Sequence, residues 1–415
     1  MKNLLCAIIP GILCLQLMAA DIYVDYNKGK RRNPGTKEAP LPAFAYAFNK
    51  AKPGDTIYIL PSPQPIRDTI VVRSKSGVAG KPITIDGMNN IFIGSMPLDP
   101  QKWKEIKPGY FARKVKIGFN MANRYYMVWN GKAHRMGRYN KAKCTVKWKT
   151  LDALQPGEWT IVRGTPVEPN SKRPHPLHNF DFVLRLPEGM KTPAEAKIEE
   201  PLFNRISGVN IAKDCSHITF RNIIVKHFLN DGFNIHGNCR NVRFENIAAV
   251  ECGDDGISAH ETCEIFVKNF VAIACSTGAC HINKAECHHE NIYFENILGK
   301  DLFFTQNTWN TFKNVWVKGH SVEGFALTTR PDCFQRFSIE NARMINYNKR
   351  AVFSLVNLGK IDIKFNNVKI ANYSKVHRAY KVTQVKPEDI EAEINAARKQ
   401  LFSIFGGQLE KALGE

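Results

Sequence analysis

The sequence predicts an all-β chain: a right-handed parallel β-helix, a solenoid of about 24 residues per coil, with a β-rich insertion and a C-terminal helix. Three observations predict it. Cys215, Cys239, Cys263 and Cys287 stand 24 residues apart. The segments that they open are alike: "CSHITFRNIIVKHFLNDGFNIHGN", "CRNVRFENIAAVECGDDGISAHET", "CEIFVKNFVAIACSTGACHINKAE" and "CHHENIYFENILGKDLFFTQNTWN". Within them an apolar-x-apolar-x-Asn-apolar run recurs, with Asn at 222, 246, 269, 296, 314, 341 and 367. A period in the twenties with short β-branched runs marks a solenoid. Leucine-rich repeats share the period, but their leucine pattern is missing. Each coil then holds three short strands joined by turns, and stacked coils set equivalent residues about 4.8 Å apart. The repeated Asn reads as an inward amide ladder at a turn, each amide bonding the ones above and below.

The elements follow in chain order. Residues 1–20, "MKNLLCAIIPGILCLQLMAA", carry one Lys, an apolar run and closing small residues. That is the pattern of a secretory signal peptide, and it predicts a secreted or periplasmic protein. A lipoprotein reading through Cys14 is opposed by the bulky Ile12 and Leu13 before it. No later run approaches the roughly 20 apolar residues of a membrane span, so no membrane partner is expected after cleavage. Residues 21–99 read as an N-terminal cap and first coils, with "LPAFAYAFNK" (41–50) a short helix over the open end. Residues 100–202 lack the period and read as a β-rich insertion. Residues 203–375 are the regular coils. Residues 376–415 read as helical, because Ile390, Ile394, Ala397, Leu401 and Ile404 recur at helical spacing. A helix there is expected to cover the last coil, since exposed solenoid ends need cover.

Charge narrows the partners. The net charge is +20, and residues 101–150 hold fourteen Lys or Arg against one acid, Glu105. Aromatics are interleaved, as in "RYYMVWNGKAHRMGRYNKAK". Such a segment attracts polyanions. For an exported chain the expected partner is an anionic polysaccharide rather than nucleic acid. The bland alternative is a solvated basic face. Nine cysteines remain after the signal, an odd number. Neighbouring coils would hold their Cα atoms within the 4.4–6.8 Å of disulfides, so a reduced stack and paired bridges both stay open. "CHHE" (287–290) is too short to stand as a metal motif.

One polar face stands out around "CGDDGISAHETC" (252–263). Apolar alignment lays "DGFNIHG" (231–237) over "DGISAHE" (255–261) over "TGACHINK" (277–284). Strand alternation turns Asn234, Ser258 and His281 outward, with His236, His260 and Asn283. Lys284 and Glu261 follow at the strand ends. Asp231, Asp254, Asp255, His236, His260, Glu261, His281 and Lys284 are thereby expected on one edge, over roughly 10 Å of axis. Arg330 and Asp332 of "FALTTRPD" are expected near the same face. Turn chemistry alone accounts for Gly232, Gly256 and one aspartate per turn. It does not account for aligned histidines.

A resemblance enters here. "KPGDTIYILPSPQPIRDTIVVRSKSGVAGKPITIDG" (52–87) resembles the opening coils of secreted β-helix proteins of the pectate-lyase-like superfamily. "AGKPITIDG" is similar to the same region in alginate-lyase and chondroitin-lyase relatives. "MVWNGKAHRMGRYN" (127–140) resembles a substrate-side strand of theirs, which makes Arg135 and Arg138 expected substrate contacts. "LQPGEWTIV" with "FVLRLPEG" (154–189) resembles an inserted β-rich piece of bacterial members. The resemblance spans most of residues 22–375.

Three roles compete for the polar face. The first, expected foremost, is β-elimination on a uronate by a polysaccharide lyase. Lys284 or His260 would be the base. Arg330, Lys284, or a calcium ion held by Asp231, Asp254, Asp255 or Glu261 would neutralise the substrate carboxylate. His236, Glu261, Asn283, Arg330, Arg135 and Arg138 would bind the chain. The Lys and Arg of alginate-lyase relatives sit on adjacent coils, whereas the coil after Lys284, "FFTQN", has no Arg. The second is hydrolysis. "NDGFNI" and "CGDDGISA" resemble the aspartate motifs of polygalacturonases, which implies Asp231, Asp254 and Asp255 as acid and base. The Gly-His-Gly and Arg-x-Lys of those enzymes are absent, with His281 and Arg330 the nearest stand-ins. The third is binding without catalysis, as in a surface protein. The chain has none of the long Ser/Thr/Gly arrays that would favour it.

Overall fold

The computed structural model describes residues 19–135, 148–162, 167, 177–348, 350–357 and 359–414. The signal-like segment and Arg138 lie outside the described residues. Two parallel sheets build the solenoid. The first has eleven strands, from Asp21–Val24 through Ser216–Lys226, Arg240–Val250, Glu264–Ile273, Glu286–Glu295 and Trp309–Gly319 to Thr383–Gln384. The second has nine, from Ile70–Arg73 through Phe233–Ile235, Asp255–Ala259, Thr277–His281 and Lys300–Thr305 to Lys375–Val376. The chain is a right-handed parallel β-helix.

From Ser216–Lys226 on, each long strand of the first sheet is two runs joined by an Asn with positive φ, near +55°. Asn tolerates this left-handed conformation better than other non-glycine residues. Asn246 Nδ2 donates to Asn222 Oδ1 (2.9 Å), and Asn269 donates to Asn246 (2.8 Å). The ladder continues through Asn291, Asn314, Asn341 and Asn367. Asn291, not Asn296, is therefore the ladder member in "CHHENIYFEN". Asn296 also has positive φ, but at the far end of the strand, where it follows Glu295.

The coil length varies, and this displaces the cysteines. Phe233 pairs with Ile257, Ile257 with Ala279 and Ala279 with Leu302, giving steps of 24, 22 and 23 residues. Cys287 therefore lies beside Ile265 rather than on Cys263. Cys215, Cys239 and Cys263 form the stack, with Ala285 next. Among the described residues all eight cysteines are buried.

The solenoid interior is apolar and aromatic. Phe220 stacks on Phe244 at 5.2 Å, and inward Ile, Val and Phe side chains fill successive coils. Near the N-terminal end, helix α1 (Phe44–Lys50) buries Phe44, Ala47 and Phe48 in this core.

Between Ser95 and Pro201 lie two antiparallel four-stranded sheets with helix α2 (Phe119–Arg124) between their strands. They have their own core, in which Tyr125 meets Trp159 and Phe182 edge-on. The Tyr126 hydroxyl donates to Phe228 O (3.1 Å) and ties this core to the coils.

Helices α3 (Glu391–Ser403) and α4 (Gln408–Leu413) do not sit on the last coil as expected. They run back along the side of the solenoid. The second run of the long strands from Ser216–Lys226 to Glu286–Glu295 is largely apolar on both faces. Its outward members, such as Ile224, Ala248, Val271 and Tyr293, need cover, which Ile394, Leu401, Phe402 and Leu409 supply. Among the described residues no helix is long and apolar enough to cross a membrane.

Candidate functional site

The first turn of the site is set by "NDG" and "DDG". Asp231 and Asp255 lie on adjacent coils, and Asp255 N donates to Asp231 Oδ1 (3.0 Å). Asn230 Nδ2 donates to Asp231 Oδ2 (3.0 Å). Gly232 and Gly256 are required by crowding: a Cβ would meet the next coil's carbonyl at 2.7 Å in each case. This close stacking drives the neighbouring aspartates together. Oxygens of Asp231, Asp254 and Asp255 all lie within 4.8 Å of one another, and all three residues are buried.

Arg124, at the end of α2, reaches this cluster. Its Nη2 lies 2.6 Å from Asp254 Oδ2, and its Nη1 donates to Asn230 Oδ1. Burial works against the guanidinium cation, but Asp254, Asp231 and Asp255 outweigh it and hold its pKa above the ordinary value. Arg124 was not legible as a site residue. It belongs to the aperiodic insertion, and only tertiary docking brings it to the coils.

The strands that follow carry two outward imidazoles. His236 and His260 stack with centroids 4.0 Å apart. His236 Nδ1 faces Glu261 Oε2 at 3.1 Å, and His260 Nε2 faces Ser258 Oγ at 2.6 Å. A carboxylate only accepts, so Glu261 fixes the proton of His236 on Nδ1 and leaves Nε2 as the basic nitrogen. The three aspartates, Arg124, His236 and His260 line one cleft of about 710 Å³, with Cys280, Ile282 and Phe303 on later coils.

Several expected members lie elsewhere. His281 points inward, because the 22-residue coil puts it under Ala259 rather than beside Ser258. It is fully buried, accepts from Ala259 N (3.2 Å) and faces His289 Nε2 at 3.3 Å. Burial first, then His289 and His260, hold its pKa well below the usual imidazole value. Cys280 and Ile282, not Lys284, line the cleft from that coil; Lys284 is exposed at the turn beyond them. Asn283 is a turn residue with positive φ, bonded to Glu261 N and Gln306. Glu261 stays with His236 and is not in the carboxylate cluster. Arg330 is exposed just past the strand Glu323–Thr329 and does not line the cleft. Arg135 is a docking residue: it donates to Cys252 O (2.7 Å) and lies over the Tyr126 ring.

The aspartate cluster fits a hard divalent cation. Calcium takes oxygen ligands at 2.3–2.6 Å, so ligands around one ion lie at most about 5 Å apart. Three carboxylates within 4.8 Å meet that limit.

Comparison with known proteins adds fold-level likeness. No family profile matches the chain, and no curated protein matches it. Among solved structures, it is similar to pectate lyase Pel9A with a TM-score of 0.40 and 15% identity, over 89% of this chain and 78% of that one. A complex of XylC with xylose gives a TM-score of 0.40 and 11% identity, over 88% and 70%. A rhamnogalacturonan lyase gives 0.31 and 12%, over 85% and 74%.

Proposed function

We propose that this protein cleaves an acidic polysaccharide by β-elimination in the cleft over Asp231, Asp254 and Asp255, with calcium bound by those three residues. The observation that carries the reading is the convergence of three buried carboxylates within 4.8 Å, on the floor of a cleft that also presents two imidazoles. Carboxylates this close repel one another when ionised, and a shared cation relieves the repulsion. Bound calcium would neutralise a uronate carboxylate and so acidify the proton on C5.

The chain's own residues supply the rest. Arg124 adds a guanidinium beside the cluster, suited to a second contact with the substrate carboxylate. His260 or His236 takes the C5 proton; the electron pair forms the C4–C5 double bond, and the C4–O bond breaks. The leaving oxygen takes a proton from solvent or from the second imidazole. Lys284, exposed outside the cleft, has no part in this step. The signal-like N-terminus supports a secreted or periplasmic setting, where such chains are met.

Hydrolysis of the polygalacturonase-like type is the second reading, because neighbouring carboxyls in one cleft are also the acid and base of glycoside hydrolysis. The test is one assay with two readouts. Purified protein is incubated with calcium or with a chelator, against alginate, pectate, chondroitin, hyaluronan, heparin and sulfated algal glycans. Ultraviolet absorbance of unsaturated uronates and new reducing ends, both rising only with calcium, are expected. Reducing ends alone, insensitive to chelator, move the assignment to hydrolysis. Neither signal on any glycan removes the catalytic reading for these substrates.

A further inference from the structure

The first run of the long strands has an outward face remote from the cleft, and it exposes aromatic rings. Inward residues there are Val242, Phe244, Ile265, Val267 and Phe312. Alternation puts Arg243, Phe266, His288, Trp309, Phe334 and Arg336 outside. They form a continuous row. Arg243 lies 4.6 Å from the Phe266 ring, and Phe266 stacks on His288 at 5.1 Å. His288 meets Trp309 edge-on at 5.6 Å. Arg336 lies over both Trp309 (5.6 Å) and Phe334 (5.0 Å).

Trp309 and Phe334 each keep 40% of their surface exposed. A buried tryptophan would need no comment, but a line of exposed rings is costly unless something covers it. The row lines two grooves of about 510 and 410 Å³ that share Thr311. It crosses five neighbouring strands, about 19 Å at the interstrand spacing. Five Lys or Arg against three acids line the two grooves.

We infer that this face is a second, non-catalytic binding surface for an anionic glycan chain lying along the solenoid axis. Sugar rings offer C–H faces that pack on aromatic planes, and their carboxylates or sulfates pair with guanidinium groups. Three rings in line, with a guanidinium at either end, suit a polymer that offers successive apolar sugar faces and negative groups beside them. Separate modest contacts on one chain add as avidity, which keeps a long substrate near the protein. None of the six residues belongs to the cleft, so the inference stands independently of the cleavage reading.

The test is affinity electrophoresis in native gels containing polygalacturonate, alginate, chondroitin sulfate, neutral xylan or double-stranded DNA, in the presence of a chelator to silence the cleft. Retardation by at least one acidic glycan, and less by xylan, is expected. Trp309→Ala combined with Phe334→Ala is expected to weaken it at least fivefold, Arg336→Gln by two- to fivefold, and Trp309→Phe hardly at all. Thermal unfolding of each variant checks the fold, and the Arg336→Gln arm decides if the alanine pair fails to fold. Equal retardation by xylan, strongest retardation by DNA, no retardation by any glycan, or unchanged retardation in folded variants each overturn the proposal.

Discussion

The Asn ladder and the cleft are built by the same device and do opposite things. Both stack equivalent residues on successive coils. In the ladder, each amide donates to one neighbour and accepts from the other, at 2.8–3.3 Å, from Asn246 to Asn367. Amides complement one another, so the stack is self-satisfied. In the cleft the repeated groups are carboxylates and imidazoles: Asp231 and Asp255 on neighbouring coils, His236 over His260. Like groups there do not complement one another, and each takes an unlike partner: Arg124 beside Asp254, Glu261 beside His236, Ser258 beside His260. Solenoid stacking thus gives stability when the repeated group is both donor and acceptor, and reactivity when it is not.

Breaking the reactive stack should have the largest effect on turnover. Asp255→Asn keeps the shape but removes a charge, and should lower kcat/KM by roughly 10³-fold with little change in Tm. A variant that stays active would move the chemistry off this cleft. The ladder should respond in the reverse way. Asn269→Ala removes two side-chain hydrogen bonds and puts Ala at φ +57°. A loss of about 1–3 kcal/mol in urea unfolding is expected, with activity intact below the transition.

Interior titratable groups sharpen the contrast through pH. Burial and, to a lesser degree, His288 push His289 down to about 3, and His281 is also held well below normal. Their protons bind only after unfolding, so stability falls as pH drops below about 6.5, by up to about 1.4 kcal/mol per unit for each. Asp301 opposes this. Burial raises it to about 8, with Ser321 Oγ donating to Oδ2. Its stabilising term is complete below about 3.9 and is lost as pH rises to about 8. Asp301→Asn should therefore steepen the acid loss between pH 6 and 4.5, read by urea unfolding at each pH. An unchanged slope would show that Asp301 titrates alike in both states.

The smallest expected effect is at Lys284. Lys284→Ala should change kcat/KM by no more than about twofold, because an exposed turn residue outside the cleft has little to lose. A large loss would return Lys284 to the site.

The particular residues explain what could be read without coordinates. The ladder was legible because Asn at a left-handed corner must repeat every coil, and Asp231, Asp254 and Asp255 because turn motifs stack with it. His281 was misplaced because the apolar alignment set it 23 residues after the outward Ser258, whereas the coil steps by 22, and a slip of one turns an outward residue inward. The short coil also misaligned Cys287, and the recurrence of "FENI" at 244–247 and 294–297 made Asn296 look like the ladder residue. Arg124 carried no periodic signal, since the insertion docks by packing Tyr126 and Arg135 on the coils. The course of α3 and α4 was hidden too: helical spacing fixes the apolar stripe but not the surface that it covers.

That course has a consequence for how the protein comes apart. A plain solenoid can fray from either end, one coil at a time, because each unit touches only its neighbours. Here Asn89 Nδ2 donates to Ile404 O, and Lys226 donates to Ala412 O. Residues at the end of α3 and in α4 are thus clasped to coils made well over a hundred residues earlier. The chain is a zip whose slider is sewn to its early teeth, so those coils wait for α3 and α4 before they are fully covered, and loss of the helices loosens coils far from them in sequence.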